Sequence, residues 1–195
     1  MDSAGGTPAR GRARSSRAKV HGTRTLMFAA LLLAGAAWLA GCKEKAPSPA
    51  TKSDNALALF TNAMVQFHAP SADAKGAERD RLLNEAAKRY EDLLKKFPDE
   101  TNLCAQALRA LGSIHATQGR TNEAVKLYAT VGEKYASQDW EVLQAWKSAA
   151  DLLWDANQRN DAKKFYAKIV ERFGQTDAPQ IIQTVVRGSK ARLME

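Results

Sequence analysis

Three segments of the chain repeat one pattern of apolar and polar positions. They read NEAAKRYEDLLKKFPDE from Asn84, NEAVKLYATVGEKYASQ from Asn122 and NDAKKFYAKIVERFGQT from Asn160, with starts 38 residues apart. The apolar positions are separated by four, three and four residues, which is one stripe of an α-helix. The shared columns are Ala86, Ala124 and Ala162; Tyr90, Tyr128 and Tyr166; Leu93, Val131 and Ile169; and Phe97, Tyr135 and Phe173.

An apolar helix is also predicted before the second and third segments. The stretch NLCAQALRALGSIHATQGR ends near Gly119, and WEVLQAWKSAADLLWDANQR carries Asn157 in the same column. Glycine and asparagine tolerate the left-handed backbone with which many helices end. Each unit is therefore predicted to be a helical hairpin. Because one hairpin cannot bury its apolar face alone, neighbouring hairpins are expected to stack.

The flanks of these units complete an all-α prediction. Residues 54–68 are predicted to form the first helix of an incomplete first unit, followed by a loop at 69–76. The asparagine that opens each repeated segment is predicted to be a helix N-cap. Residues 177–194 are predicted to form one closing helix, which would cap the stack.

The repeated units resemble the tetratricopeptide repeat (TPR) family, whose pattern is W-xx-L-G-xx-Y, then A-xxx-F, then P. The resemblance covers about residues 54–174. It implies a right-handed solenoid of about three hairpins plus the C-terminal capping helix. The matching residues are Leu108, Leu111, Gly112, His115, Ala124 and Tyr128 in one unit; Trp146, Ala149, Ala150, Leu153, Ala162 and Tyr166 in the next; and Ala86, Tyr90 and Pro98 in the first.

The longest apolar run, residues 26–40, follows a basic segment and ends in small residues. These features are typical of a secretory signal, and 15 residues are short for a membrane-spanning helix, which needs about 20. The sequence Leu39-Ala40-Gly41-Cys42 resembles the bacterial lipobox. The resemblance implies cleavage after residue 41 and a covalent lipid on Cys42. Residues 42–53 would then be the lipidated cysteine and a flexible tether.

Lys43, directly after the cysteine, is not the aspartate that serves as an inner-membrane retention signal in the enterobacterial lipoproteins that this one resembles. The resemblance therefore favours a periplasm-facing anchor in the outer membrane, with the inner membrane as the alternative. A second alternative retains residues 26–40 as an uncleaved anchor.

The net charge of +8 does not indicate a nucleic-acid-binding protein. Residues 1–41 hold six basic side chains and one acidic one, a balance of +5, which leaves +3 for the remainder. Because cleavage would remove most of the positive charge, no nucleic-acid partner is expected.

The sequence offers no catalytic constellation. His21 lies in the predicted signal, His115 fills a packing column, and His68 has no cysteine or carboxylate at metal-ligand spacing. Cys104 lies in an apolar helical pattern and is expected to be a buried thiol. Phosphate-binding loops and hydrolase motifs do not occur. The chain is expected to be neither an enzyme nor a metal or cofactor protein, apart from the lipid on Cys42.

A binding surface follows from the TPR resemblance, which implies that the first helix of each hairpin lines a concave groove. The residues predicted to line the groove lie at helix positions that do not pack against neighbouring helices. They are Gln106, Arg109, Ser113, Thr117, Gln144, Lys147, Asp151, Trp154 and Asp155. Trp154 is the candidate anchor, because tryptophan is enriched at interface hot spots. The alternative is that Trp154 packs under the closing helix.

These features predict an envelope lipoprotein that binds other envelope proteins through its groove. The combination resembles the lipoproteins of the outer-membrane β-barrel assembly machinery, which carry five repeats where this chain has room for about three. One alternative is an inner-membrane-anchored TPR protein of secretion or chaperone complexes. Another is a binding module associated with the cell wall or with polysaccharides.

Overall fold

The computed structural model describes residues 50–175 and 177–195. These residues form seven α-helices and contain no strand, which confirms the all-α prediction. The helices are α1 (Lys52–Ala63), α2 (Gly76–Lys96), α3 (Thr101–Thr117), α4 (Thr121–Lys134), α5 (Asp139–Asp155), α6 (Arg159–Phe173) and α7 (Gln180–Met194). The predicted signal segment, Cys42 and most of the predicted tether lie outside the described residues.

Helix α1 begins two residues before the predicted start of the helical domain. Thr51 is its N-cap: the hydroxyl accepts a hydrogen bond from the Asp54 amide, and the Asp54 carboxylate accepts one from the Thr51 amide. This reciprocal pair satisfies two amides at the helix start. Residues 52–53, which the sequence assigned to the tether, are therefore helical. Beyond Ala63 the chain continues as a π-helical segment, Met64–His68.

Three of the four repeated apolar columns form the core, as predicted, whereas in the fourth Phe173 is buried and Phe97 and Tyr135 are half-buried. The three alanines and the residues of the Leu93 column have no exposed surface, and the three column tyrosines are at most 4% exposed. Cys104 is also fully buried, and its thiol donates a hydrogen bond to the Phe97 carbonyl over 3.2 Å. In the alanine, tyrosine and Leu93 columns, the 38-residue spacing therefore places equivalent side chains in equivalent buried positions.

The predicted C-terminal ends of α3 and α5 are confirmed, whereas the predicted N-caps of the helices that follow them are not. Gly119 (φ 75°) and Asn157 (φ 59°) adopt the predicted left-handed backbone just after α3 and α5. The predicted N-caps are wrong. The N-cap residues of α4 and α6 are Arg120 and Gln158, and neither side chain makes a capping hydrogen bond. Asn84 lies inside α2, which starts at Gly76. The predicted loop at 69–76 is correspondingly shorter, and Pro70–Ala72 form a 3-10 turn within it.

Successive helices pack against one another along the chain. Helix α3 packs on α4, α4 on α5, α5 on α6 and α6 on α7, while α1 and α3 both contact α2. Helix α3 also contacts α5, so alternate helices meet on one side. The closing helix is confirmed as α7, whose Val186 and Ser189 are buried. Helices α5, α6 and α7 together frame the candidate site.

Candidate functional site

A cleft of about 430 Å³ lies between α5 and α7. Helix α5 contributes Lys147, Asp151, Trp154 and Asp155, and Tyr166 of α6 also lines the cleft. The wall from α7 consists of Thr184, Val185, Gly188, Ser189 and Arg192. The cleft therefore combines two aromatic rings with charged side chains of both signs.

The α5 wall follows from helical spacing. Lys147, Asp151 and Asp155 are four residues apart and share one face of the helix. The opposite face carries the fully buried Ala149 and Ala150, which fix the rotation of the helix against the core. On α7, Thr184, Gly188 and Arg192 have the same four-residue spacing. The two polar faces meet across the cleft.

Trp154 is half-buried and lies among three neighbours. The ring of Tyr166 meets it edge to face, with centroids 6.0 Å apart. Two guanidinium groups lie over the indole: Arg159 at 4.7 Å and Arg192 at 4.6 Å from the ring centre. Cations are attracted to the negative face of an indole. Trp154 therefore lines the cleft and also contacts the closing helix through Arg192.

Asp151 organises the floor of the cleft. Its carboxylate pairs with the Lys147 ammonium and accepts a hydrogen bond of 2.8 Å from the Tyr166 hydroxyl. Burial, and then this bond to Asp151, raise the pKa of Tyr166. Tyr166 therefore stays a neutral donor well above physiological pH.

Asp155 differs from its neighbour Asp151. It is exposed, and its carboxylate has neither an ion pair nor a hydrogen bond with any of the described residues. A carboxylate free at the rim of a cleft is available to a cationic group of a ligand.

The remaining predicted groove residues lie away from this cleft. Gln106 donates a hydrogen bond to Asn102 over 2.6 Å, and Thr117 is exposed at the end of α3. Ser113 and Gln144 are half-buried. Four of the nine predicted residues thus come together in the cleft.

Arg109, the other charged member of the predicted set, serves a different contact. Its Nε lies 2.6 Å from the carboxylate of Glu141, whose side chain is only 7% exposed. This ion pair joins α3 to α5. Because removing one partner would leave a buried charge unpaired, Arg109 has a structural role whether or not a ligand contacts it.

Sequence reasoning missed the α7 wall and the role of Tyr166. Tyr166 was assigned to a packing column, which its 3% exposure supports, but its hydroxyl reaches the cleft. The four-residue spacing of Thr184, Gly188 and Arg192 was the available signal for α7. Their position opposite α5 depends on tertiary packing that this spacing does not encode.

The described residues lack two other kinds of site. Within 50–175 and 177–195, no group of three or more His, Cys, Asp or Glu side chains could hold a metal ion. Across the same residues, no helix is long and apolar enough to cross a membrane.

No protein-family model matches the chain, and no curated protein matches it significantly.

Proposed function

We propose that the chain is a bacterial envelope lipoprotein whose helical hairpins form a TPR-like solenoid that binds other envelope proteins. The observation that carries the proposal is the equivalence of the repeated units. Ala86, Ala124 and Ala162 are all fully buried at 38-residue intervals. Such equivalence is typical of repeat proteins, which use extended surfaces to bind partners.

The order of helix contacts supports the solenoid. Each helix packs on the next, and the first helices of neighbouring hairpins, α3 and α5, also contact each other. In TPR-like stacks, this arrangement lines a concave surface with the first helices. The polar faces of α3 and α5 carry all nine predicted groove residues, and the cleft lies where α5 meets α7.

The lipobox-like sequence supports the envelope location. Leu39-Ala40-Gly41-Cys42 ends the apolar run, and the residues up to α1 include Pro47 and Pro49 but no large apolar side chain. A lipidated Cys42 would hold the helical domain near the periplasmic face of a membrane. Multiple acyl chains are needed for stable anchoring, since each buried methylene contributes about 0.8 kcal/mol.

The anchor is tested by comparing wild type with Cys42→Ser in cells fed an alkyne-labelled fatty acid. Wild type is expected to incorporate the label and to fractionate with the outer membrane. Cys42→Ser should lose the label and leave the membrane fraction. An unlabelled wild-type protein that stays in the inner membrane together with Cys42→Ser would indicate the uncleaved anchor instead.

The scaffold role is tested by cross-linking the full-length protein in intact cells and identifying what co-purifies. A discrete envelope protein is expected, and Trp154→Ala should reduce its recovery. Trp140→Ala is the matched control, because Trp140 is 44% exposed and does not line the cleft. Recovery of β-barrel assembly components would specify outer-membrane protein assembly. Recovery of glycan without protein would contradict the scaffold role.

A further inference from the structure

The aromatic wall of the cleft is covered by a side chain of the same protein. Arg192, in the last turn of α7, lines the cleft and lies over the Trp154 indole at 4.6 Å. Arg159 also lies over this ring but does not line the cleft. The part of the indole that faces the cleft is therefore occupied by the guanidinium of Arg192.

The surroundings of Arg192 have the chemistry that recognises a guanidinium group. The indole of Trp154 supplies a π-face, and the Tyr166 ring stands edge-on to it. The carboxylate of Asp155 lines the same cleft and has no partner among the described residues. A planar guanidinium can stack on an aromatic ring and direct its N–H groups to a carboxylate at the same time.

Arg192 is held in this position by few contacts. Its ion pair is with Glu195, three residues further along the chain, and the two side chains are 43% and 48% exposed. Exposed ion pairs of this kind add little stability. A second guanidinium that brought its own backbone contacts could therefore replace Arg192.

We propose that the Trp154 face covered by Arg192 is a binding site for an arginine side chain of a partner protein, and that Arg192 occupies it until the partner binds. The proposal rests on the scaffold function and names the chemistry of its ligand. The incoming guanidinium takes the place of Arg192 on the indole, and the displaced Arg192 side chain turns to solvent, where its charge is screened. Lys147 and Arg159 then face one guanidinium at the indole, as they do before the exchange.

The probe is acetyl-Gly-Arg-Gly-amide, titrated into the full-length chain in detergent micelles. Binding is followed through the indole N–H signals in NMR spectra, with the Trp154 signal assigned by Trp154→Phe. Arg192→Ala removes the internal competitor and should bind the peptide about fivefold more tightly than wild type. Arg159→Ala is the matched control and should leave the affinity within about twofold of wild type, because Arg159 does not line the cleft.

Two further measurements define the chemistry. Asp155→Asn, placed in the Arg192→Ala protein, should weaken peptide binding by about fivefold, since the carboxylate is lost without a change of shape. The peptide acetyl-Gly-Lys-Gly-amide should bind more weakly than the arginine peptide, because an ammonium group does not stack. Circular dichroism spectra are expected to be the same for all variants.

The proposal is overturned if Arg192→Ala binds the arginine peptide no more tightly than wild type and Arg159→Ala do. It is also overturned if the lysine peptide binds equally well. The scaffold function can fail separately. Peptide binding as expected, with no protein cross-linked in cells, would leave the arginine site standing without the scaffold. A cross-linked partner with no peptide binding would leave the scaffold standing without the arginine site.

Discussion

Two glycines inside helices lie where an aromatic ring of the next helix passes. A Cβ atom at Gly112 of α3 would come within 2.6 Å of the Tyr128 ring of α4. A Cβ atom at Gly132 of α4 would collide with the Trp146 indole of α5. Glycine weakens a helix interior, so its presence at both sites is explained by close packing of the following helix.

Gly112→Ala should therefore lower the free energy of unfolding by about 1–3 kcal/mol, because the Tyr128 ring cannot move without disturbing the core. Gly188→Ala is the matched control, since a Cβ atom there meets nothing within 4 Å. It should raise stability by about 0.5–1 kcal/mol through better helix propensity. Urea unfolding of the three proteins gives both values. Equal destabilisation by the two substitutions would contradict this packing.

His68 lies in the first hairpin, where its surroundings change its ionisation. Its Nδ1 lies 3.2 Å from the Tyr90 hydroxyl at the end of the π-helical segment. Burial, and then the positive charge of Arg109, lower the pKa of His68. The unfolded chain consequently binds a proton near pH 6.5 that the folded chain does not bind. This contribution to stability is present above pH 6.5 and is lost as the pH falls through the folded pKa.

His68→Gln should therefore be less sensitive to acid than wild type. The difference in free energy of unfolding between the two proteins is expected to change by up to about 1.4 kcal/mol per pH unit below pH 6.5. Urea unfolding at pH 7.5, 6.0 and 5.0 measures this difference. If the free energies of unfolding of the two proteins changed in parallel with pH, His68 would have the same pKa in the folded and the unfolded chain, which would contradict this account. Burial also lowers the pKa of His115. Because both proteins contain His115, its contribution cancels in the difference between them.

At the scale of helices, period and composition predicted where most elements lie. The apolar stripes of the second and third repeated segments predicted α4 and α6, and the left-handed positions Gly119 and Asn157 marked the ends of α3 and α5. The N-caps were wrong because the chain re-enters a helix immediately after the left-handed residue. Arg120 and Gln158 consequently take the cap positions, and each following asparagine falls inside its helix.

Helix α7 presents two faces with different expected roles. Val186 is 5% exposed against the core, whereas Ile181 is 59% exposed. Val186→Ala should lower the free energy of unfolding by about 1–3 kcal/mol, because it leaves a cavity. Ile181→Ala should change it by less than about 0.5 kcal/mol. Thermal unfolding of both variants tests the placement of α7, and a larger effect at Ile181 would mean that the helix is rotated.

At the scale of the whole molecule, the repeat could be predicted from the sequence, whereas only one wall of the cleft could be predicted. Lys147, Asp151, Trp154 and Asp155 were predicted because they avoid the packing columns of α5. Arg192 was not, since it is 38 residues from Trp154 and belongs to a helix outside the repeat. Arg109 was predicted for the groove, but in the structure it joins α3 to α5 through Glu141.

The central claim is that the cleft between α5 and α7 binds an envelope protein. The most direct measurement places a photo-cross-linking amino acid at Asp155 of the full-length protein in intact cells. A matched protein carries it at Lys88, an exposed position on α2 that does not line the cleft. A discrete protein adduct from position 155, absent from position 88, is the predicted result. No adduct from position 155, or the same adducts from both positions, would contradict the claim.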